Sequence, residues 1–249
     1  GPILFLLYTA DLLGLIEGHD LIPHLYADDT QICGYSPPSD ALQLQEKVSR
    51  CVDDVATWMQ SNRLQLNTAK TEVLWCASIR RQHQIPQPGL RVGVDVIVPS
   101  ASVRDLGIYL DCDVSMRTHV SKVVSSCFAV LRRLRSIRSS VTRPVFVSLV
   151  VSLVLSRLDY GNATLAGITD RLMDRLRSVL NASAQLIYAS RRTEHVTPLL
   201  RDLHWLRYPD RIDYKLAVLV YRCLHGLAPG YLADEFTSVS EIESRWYLW

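Results

Sequence analysis

The chain lacks paired cysteines, an apolar run of membrane length, a strong net charge and an initiator Met, although it is 249 residues long. Its six Cys residues (Cys33, Cys51, Cys76, Cys112, Cys127 and Cys223) lie far apart, with no Cys-x-x-Cys pair and no His at ligand spacing. That pattern indicates neither a disulfide framework nor a structural zinc site, and reduced, buried thiols are expected. The apolar stretches Ile3 to Ile16 and Val145 to Leu155 fall short of the roughly 20 residues a bilayer requires, and Asp11 interrupts the first. Both read as buried helices, so no membrane partner is expected. Asn162-Ala163-Thr164 and Asn181-Ala182-Ser183 match the glycosylation pattern, yet no secretory signal precedes them. The expected location is intracellular, in nucleus or cytoplasm. No internal repeat or low-complexity tract is present.

A hydrophobic content of 48% is ample for one large or two small domains with real cores. The net charge of +2 conceals a segregation. Residues 1–114 carry 8 Lys/Arg against 14 Asp/Glu, residues 115–192 carry 13 against 3, and residues 193–249 carry 6 against 8. A helical segment with the +10 balance of the middle span is either a solvated face or an electrostatic footprint for nucleic-acid phosphates.

Strand and helix patterns divide along the same lines, and the expected class is α+β. Pro2 suits a first helical turn, and the apolar run after it predicts one helix to about Ile16, ended by Gly18. After Pro37-Pro38, Asp40 with Gln43 forms a capping box. Leu44, Val48, Cys51, Val52, Val55, Trp58 and Met59 then recur on one face of an amphipathic helix, which assigns Trp58 to core packing. Val73 to Cys76 reads as a strand and Arg80 to Gly89 as a surface loop. The alternation of Leu90, Val92, Val94 and Val96 predicts one half-buried strand, and Leu106 to Leu110 a second, together extending a sheet. From Ser115 helices take over. Val120, Val123, Val124, Cys127, Val130, Leu131, Leu134 and Ile137 mark one stripe, with Arg132, Arg133, Arg135 and Arg138 off it or at its edge. Further helices are expected from Thr142 to about Leu158, from Thr169 to about Tyr188 and from Pro209 to about Leu224.

The strongest chemical signal is Tyr26-Ala27-Asp28-Asp29, two adjacent carboxylates with an aromatic two places before them. Apolar runs on either side predict a β-hairpin with both acids at its tip. Paired carboxylates suit Mg²⁺, which prefers hard oxygen ligands and leaves room for substrate phosphates, so the pattern points to nucleotidyl transfer at a two-metal site. A solvated acidic turn is the plain alternative. A Tyr-x-Asp-Asp match arises by chance in about a few per cent of chains this long, so the motif needs its surroundings to carry weight.

Those surroundings are extensive. Gly1-Pro2-Ile3-Leu4-Phe5 lies upstream, and downstream lie Trp58, Asn62-Arg63-Leu64-Gln65-Leu66-Asn67, Lys70-Thr71-Glu72-Val73-Leu74 and Val103-Arg104-Asp105-Leu106-Gly107-Ile108-Tyr109. Leu203-His204-Trp205-Leu206, Arg211-Ile212-Asp213-Tyr214-Lys215 and Gly226-Leu227-Ala228-Pro229-Gly230-Tyr231-Leu232 follow. In this order and spacing nearly the whole chain resembles the reverse transcriptase of LINE-type (non-LTR) retrotransposons. The resemblance implies a partial palm-type antiparallel sheet with packed helices in residues 1–114, including primer-grip-like strands. It implies a basic helical thumb in residues 115–192 and a C-terminal helical region in residues 193–249.

For chemistry, the resemblance implies that Asp28 is the principal metal ligand, Asp29 an auxiliary one, and Tyr26 the aromatic supporting the loop beside the primer end. Lys70 would sit near the leaving pyrophosphate, where an ammonium donates a proton or neutralises charge; its plain reading is an exposed lysine after a turn. Leu106 and Gly107 would belong to the segment gripping the primer backbone. Arg132, Arg133, Arg135 and Arg138 would contact phosphates of an RNA template and DNA primer duplex, with dNTP as substrate and Mg²⁺ as cofactor.

One departure stands out. Two-metal transfer needs carboxylates from more than one chain segment, and the family's other essential Asp lies on a strand preceding the point that Gly1-Pro2 matches. Asp11, Asp40, Asp53 and Asp54 match no such position. The expectation is therefore a polymerase fragment whose upstream polyprotein segment is missing and which is inactive alone. Two alternatives stay open: a non-enzymatic nucleic-acid-binding domain, and a degenerate retrotransposon-derived product.

Overall fold

The computed structural model describes residues 2–86, 88–93, 95–191, 193–234 and 236. It divides into two compact units, Gly1–Ser115 and Met116–Trp249. Among the described residues helices predominate and all strand pairing is antiparallel, in two-stranded sheets, so the class is α+β as expected.

In the first unit the expected single opening helix is two, α1 (Pro2–Tyr8) and α2 (Asp11–Glu17). The break falls at Thr9, whose hydroxyl donates back to the Phe5 carbonyl at 3.0 Å and to Leu6 at 3.4 Å, a local bond that competes with the helical ladder. Helix α2 buries Leu12 and Ile16, but α1 leaves Ile3, Leu4 and Leu7 largely in solvent, contrary to the buried helix the apolar run suggests. Strands β1 (Ile22–Tyr26) and β2 (Asp29–Cys33) form the anticipated hairpin, with Pro23, Leu25, Thr30 and Ile32 half-buried on alternate positions. Period-two alternation then requires Tyr26 and Asp29 to face solvent.

Helix α3 (Ala41–Ser61) presents its stripe as expected: Cys51, Val52 and Val55 are buried, and Leu44, Val48, Trp58 and Met59 pack beside them. Cys51 and Val55 join Leu12, Ile16 and Leu21 in one cluster, against which Leu25 and Ile32 of the first hairpin lean. Val52 joins Leu90 and Val92 in another. Burying each such side chain contributes about 1.5–3 kcal/mol, so α3 is the element that fixes the hairpins. The capping box is absent, because the Asp40 carboxylate accepts from the Ser39 hydroxyl at 2.8 Å instead of closing the helix.

Strand pairing after α3 differs from expectation. Residues 73–76 are extended but form no strand; they touch their neighbours through single bonds, Ser100 N–H to the Val73 carbonyl at 2.8 Å and Ala77 N–H to the Cys112 carbonyl at 2.9 Å. The predicted strand over 90–96 is a hairpin of β3 (Leu90–Val92) and β4 (Asp95–Ile97), turning at Gly93, whose φ is +61°. Beside it a Cβ at Gly89 would lie 2.5 Å from Val96 and 2.9 Å from the Ile97 carbonyl oxygen, so only glycine fits there. The predicted strand over 106–110 is likewise half of a hairpin, β5 (Ser102–Asp105) with β6 (Ile108–Asp111). The three hairpins are separate two-stranded sheets among the described residues and do not join into the single sheet foreseen.

The second unit is built from α4 (Arg117–Ile137), α5 (Arg143–Val150), a π-helical stretch Val151–Leu155 continuing into α6 (Ser156–Leu158), then α7 (Asp170–Tyr188), α8 (Thr197–Asp202), α9 (Tyr208–Leu224) and α10 (Gly230–Ala233). Helices α4 and α7 pack on each other, burying Val120, Val124, Cys127, Leu131 and Leu134 from one and Leu172, Leu176, Val179, Leu180 and Ile187 from the other. Phe146, Val150, Val154 and Leu158 complete the core, while Val145, Val151 and Leu153 on the same apolar run are exposed. Helix α9 is tied to this core by Tyr208, whose hydroxyl donates to the Leu158 carbonyl at 2.9 Å, and by Arg211, whose Nε donates to Asp159 at 2.8 Å. Burial, with the Asp159 charge second, raises the Tyr208 hydroxyl above its ordinary range and keeps it a donor. Helices from both spans 115–192 and 193–234 thus belong to one unit. No helix among the described residues is long and apolar enough to cross a membrane.

Candidate functional site

Tyr26 pairs directly with Asp29 across β1 and β2, which leaves Ala27 and Asp28 as a two-residue turn. Ala27 takes φ +54°, a left-handed conformation that costs an L-residue about 1–2 kcal/mol. Asp28 therefore sits at the apex and Asp29 one step down the strand, and both are exposed. Among the described residues neither carboxylate has a hydrogen bond or ion pair, so their oxygens are available. Hard, unengaged carboxylate oxygens suit Mg²⁺ chemically. Two ligands from one hairpin tip are only part of a two-metal shell, however, and no group of three His, Cys, Asp or Glu that could hold a metal occurs among the described residues.

The other residues singled out from the first unit lie elsewhere within it. Lys70 ends a short 3-10 turn, Thr68–Lys70, and is exposed, with no ion pair to a described residue. Leu106 and Gly107 are the turn of the β5–β6 hairpin rather than strand residues, at φ +44° and +89°. Two successive positive φ values match the right-handed twist of a tight hairpin, and Leu is an unusual occupant of the first position. Burial and then the Asp105 charge raise the Cys33 thiol.

In the second unit Arg132 and Arg133 project from the outer face of α4 and Arg135 from the edge of its buried stripe, all three exposed and without an ion pair to any described residue. Their placement follows from the helix period, since Leu131 and Leu134 must turn into the core and the positions between must turn out. Arg138 is employed differently. Its guanidinium donates to the carbonyls of Leu186 at 2.7 Å and Ile187 at 3.1 Å, satisfying the end of α7, so it is a structural cap and not an open phosphate contact. The sequence reading missed Lys122, which shares the outer face about three turns before Arg133 and is exposed. Between them Ser125 and Ala129 are also exposed, as is Ser136 just beyond Arg133. Cations separated by small side chains let a polyanionic backbone approach closely, and the spacing of eleven residues was the available signal.

The thiols are partly as expected. Cys51, Cys127 and Cys223 are buried, but Cys33 and Cys112 are half-buried and Cys76 is exposed. Burial pushes the Cys51 and Cys127 thiols up to about 11, which keeps them protonated and inert. Comparison with known protein families, curated proteins and solved structures finds no match to the chain.

Proposed function

We propose that the chain is part of an RNA-directed DNA polymerase of a LINE-type retrotransposon, comprising a palm remnant, a thumb and a C-terminal region. The observation supporting this most is the hairpin that presents Asp28 and Asp29 exposed at its tip beside Tyr26, the arrangement the sequence motif implies for such a polymerase. In this reading Asp28 and Asp29 hold Mg²⁺, which when bound neutralises charge on the phosphoryl group being transferred. The two hairpin acids are part of a metal shell that needs further carboxylates to be complete, Lys70 acts near the leaving pyrophosphate, and Leu106-Gly107 lies along the primer.

The outer face of α4 grips the primer–template duplex through phosphates. Arg132, Arg133 and Arg135 neutralise backbone charge and release counterions, giving affinity that depends on salt and not on sequence. The same exposed cations would serve a non-enzymatic duplex-binding domain, so binding and catalysis must be measured separately.

The purified chain, given a labelled primer–template duplex, is expected to bind weakly, to lose affinity steeply as salt rises, and to leave the primer unextended when Mg²⁺ and deoxynucleotides are added. Asp28→Ala should bind duplex like the wild type. Undetectable or salt-insensitive binding would contradict the thumb assignment. Mg²⁺-dependent extension abolished by Asp28→Ala would overturn the claim that the hairpin acids are an incomplete centre.

A further inference from the structure

Helix α9 repeats an aromatic–cation pair that the polymerase reading leaves unused: Tyr214-Lys215 and, seven residues later, Tyr221-Arg222. The rotation of α9 is set by its inner side, where Tyr208 and Ile212 are buried and Arg211 pairs with Asp159. With that side fixed, Tyr214 and Tyr221 stand 64% and 56% exposed. Lys215 and Arg222 are exposed as well, and neither forms an ion pair with a described residue. Seven residues make nearly two turns, so the rings fall on one line about 10 Å apart and the cations on a parallel line. One turn beyond, the His225 ring stacks on Tyr221 with centroids 3.9 Å apart and planes at 23°. His225 Nδ1 lies 2.8 Å from the Tyr221 carbonyl oxygen. This contact covers one face of the Tyr221 ring and holds it at the surface, so a base would stack on the other face.

We propose that this face of α9 is a docking surface for an unpaired nucleic-acid strand, with bases stacked on Tyr214 and Tyr221 and phosphates on Lys215 and Arg222. Charge complementarity decides the occupant. Each exposed ring has a cation on the same edge and in the same register, which a strand of flat bases on a polyanionic backbone matches and an apolar protein surface does not. A separation of about 10 Å spans about three stacked nucleotides at ~3.4 Å each. Asp213, exposed on the opposite edge, confines the phosphate path to the cationic side. The surface is independent of the hairpin-tip and α4 assignments, because it uses none of their residues.

The test is fluorescence anisotropy of the full chain with a labelled single-stranded RNA of about 12 nucleotides. Tyr214→Ala/Tyr221→Ala should weaken binding by about tenfold or more, given about 1–3 kcal/mol per stacked base. Tyr214→Phe/Tyr221→Phe, which keeps the rings, should bind like the wild type, whereas Tyr214→Leu/Tyr221→Leu, which keeps apolar area without a π face, should fail like the Ala variant. Lys215→Gln/Arg222→Gln should flatten the salt dependence by about one to two in log–log slope. Duplex binding should be unchanged in all of them, and because both tyrosines are exposed the variants should keep the wild-type circular dichroism. Wild-type RNA binding by the Ala or the Leu variant would overturn the proposal. So would a change in self-association on size exclusion with RNA binding intact, or an equal loss of duplex binding.

Discussion

In the first unit the acids at issue lie at and beside a two-residue turn held by two short strands, whereas in the second the arginines at issue occupy the exposed positions of a 21-residue helix whose other side is buried. The turn gains position at the expense of backbone strain, at Ala27 and again at Leu106. Along α4 the arginines need none, since the inward leucines set them outward, and left-handed backbone is confined to its start, at Val114 and Met116. Charge divides the same way. Residues 1–115 carry 8 Lys/Arg against 14 Asp/Glu, and residues 116–249 carry 19 against 11. A hairpin tip suits a small cation that must be approached from several sides; a long helical face suits a polyanion. The first unit's hairpins also present edges unpaired by any further strand among the described residues, while helices satisfy their backbones internally. The contrast predicts that the second unit is the more robust scaffold.

The largest expected effect breaks the second unit selectively. Arg211→Ala leaves the half-buried Asp159 carboxylate without its partner and should cost about 3 kcal/mol. Hydrogen exchange should show lost protection in α9 and residues 156–165 with α3 unchanged; equal loss in α3 would mean the two regions are not separable in stability. Gly89→Ala is the counterpart in the first unit, expected to cost about 2 kcal/mol because the new Cβ meets Val96 and a backbone carbonyl. Protection should fall in β3, β4 and α3 and persist in α4 and α7. Smaller still, Leu106→Asn should stabilise by up to about 1 kcal/mol, since Asn accepts the left-handed conformation more readily and precedes Gly107 in the preferred order of a tight hairpin turn. A lower denaturant midpoint would show that Leu106 makes a compensating contact.

The least effect near neutrality comes from thiols shared by both units. Cys51 and Cys127 titrate at about 11 when folded against 9.0 ordinarily. The unfolded chain therefore releases their protons first as pH rises, so the contribution of these two thiols to stability is full below about pH 9 and is lost from there to about 11. Denaturation at graded alkaline pH checks this, and Cys51→Ala/Cys127→Ala should lessen the decline.

Elements set by burial were legible from the chain, and those set by a turn inside a repetitive pattern were not. The stripe from Leu44 to Met59 and the one from Val120 to Leu134 could face only one way, so both helices could be read directly. The run Leu90, Val92, Val94, Val96 alternates in sequence as one strand would, yet the hairpin sets Leu90 opposite Ile97 and Arg91 opposite Val96, which turns Val96 out into solvent; Gly93, at positive φ, was the sign of the reversal. Leu106 gave no sign at all, since its residue type argues against the φ it adopts. Tyr26, Asp28 and Asp29 were placed correctly on their hairpin because turn length and flanking strands fix that register. Arg138 looked like its neighbours in sequence and differs only through tertiary contact with the end of α7.

The central claim divides labour between the acidic hairpin and the basic helix, and the salt dependence of duplex affinity tests it most directly. Wild type, Arg132→Gln/Arg133→Gln/Arg135→Gln and Asp28→Asn/Asp29→Asn would be titrated with one primer–template duplex across a salt series. The arginine variant is predicted to bind more weakly and to lower the log–log slope by about 2–3, one counterion per removed contact, while the aspartate variant overlays the wild type. An unchanged slope in the arginine variant, or a loss confined to the aspartate variant, would contradict the account.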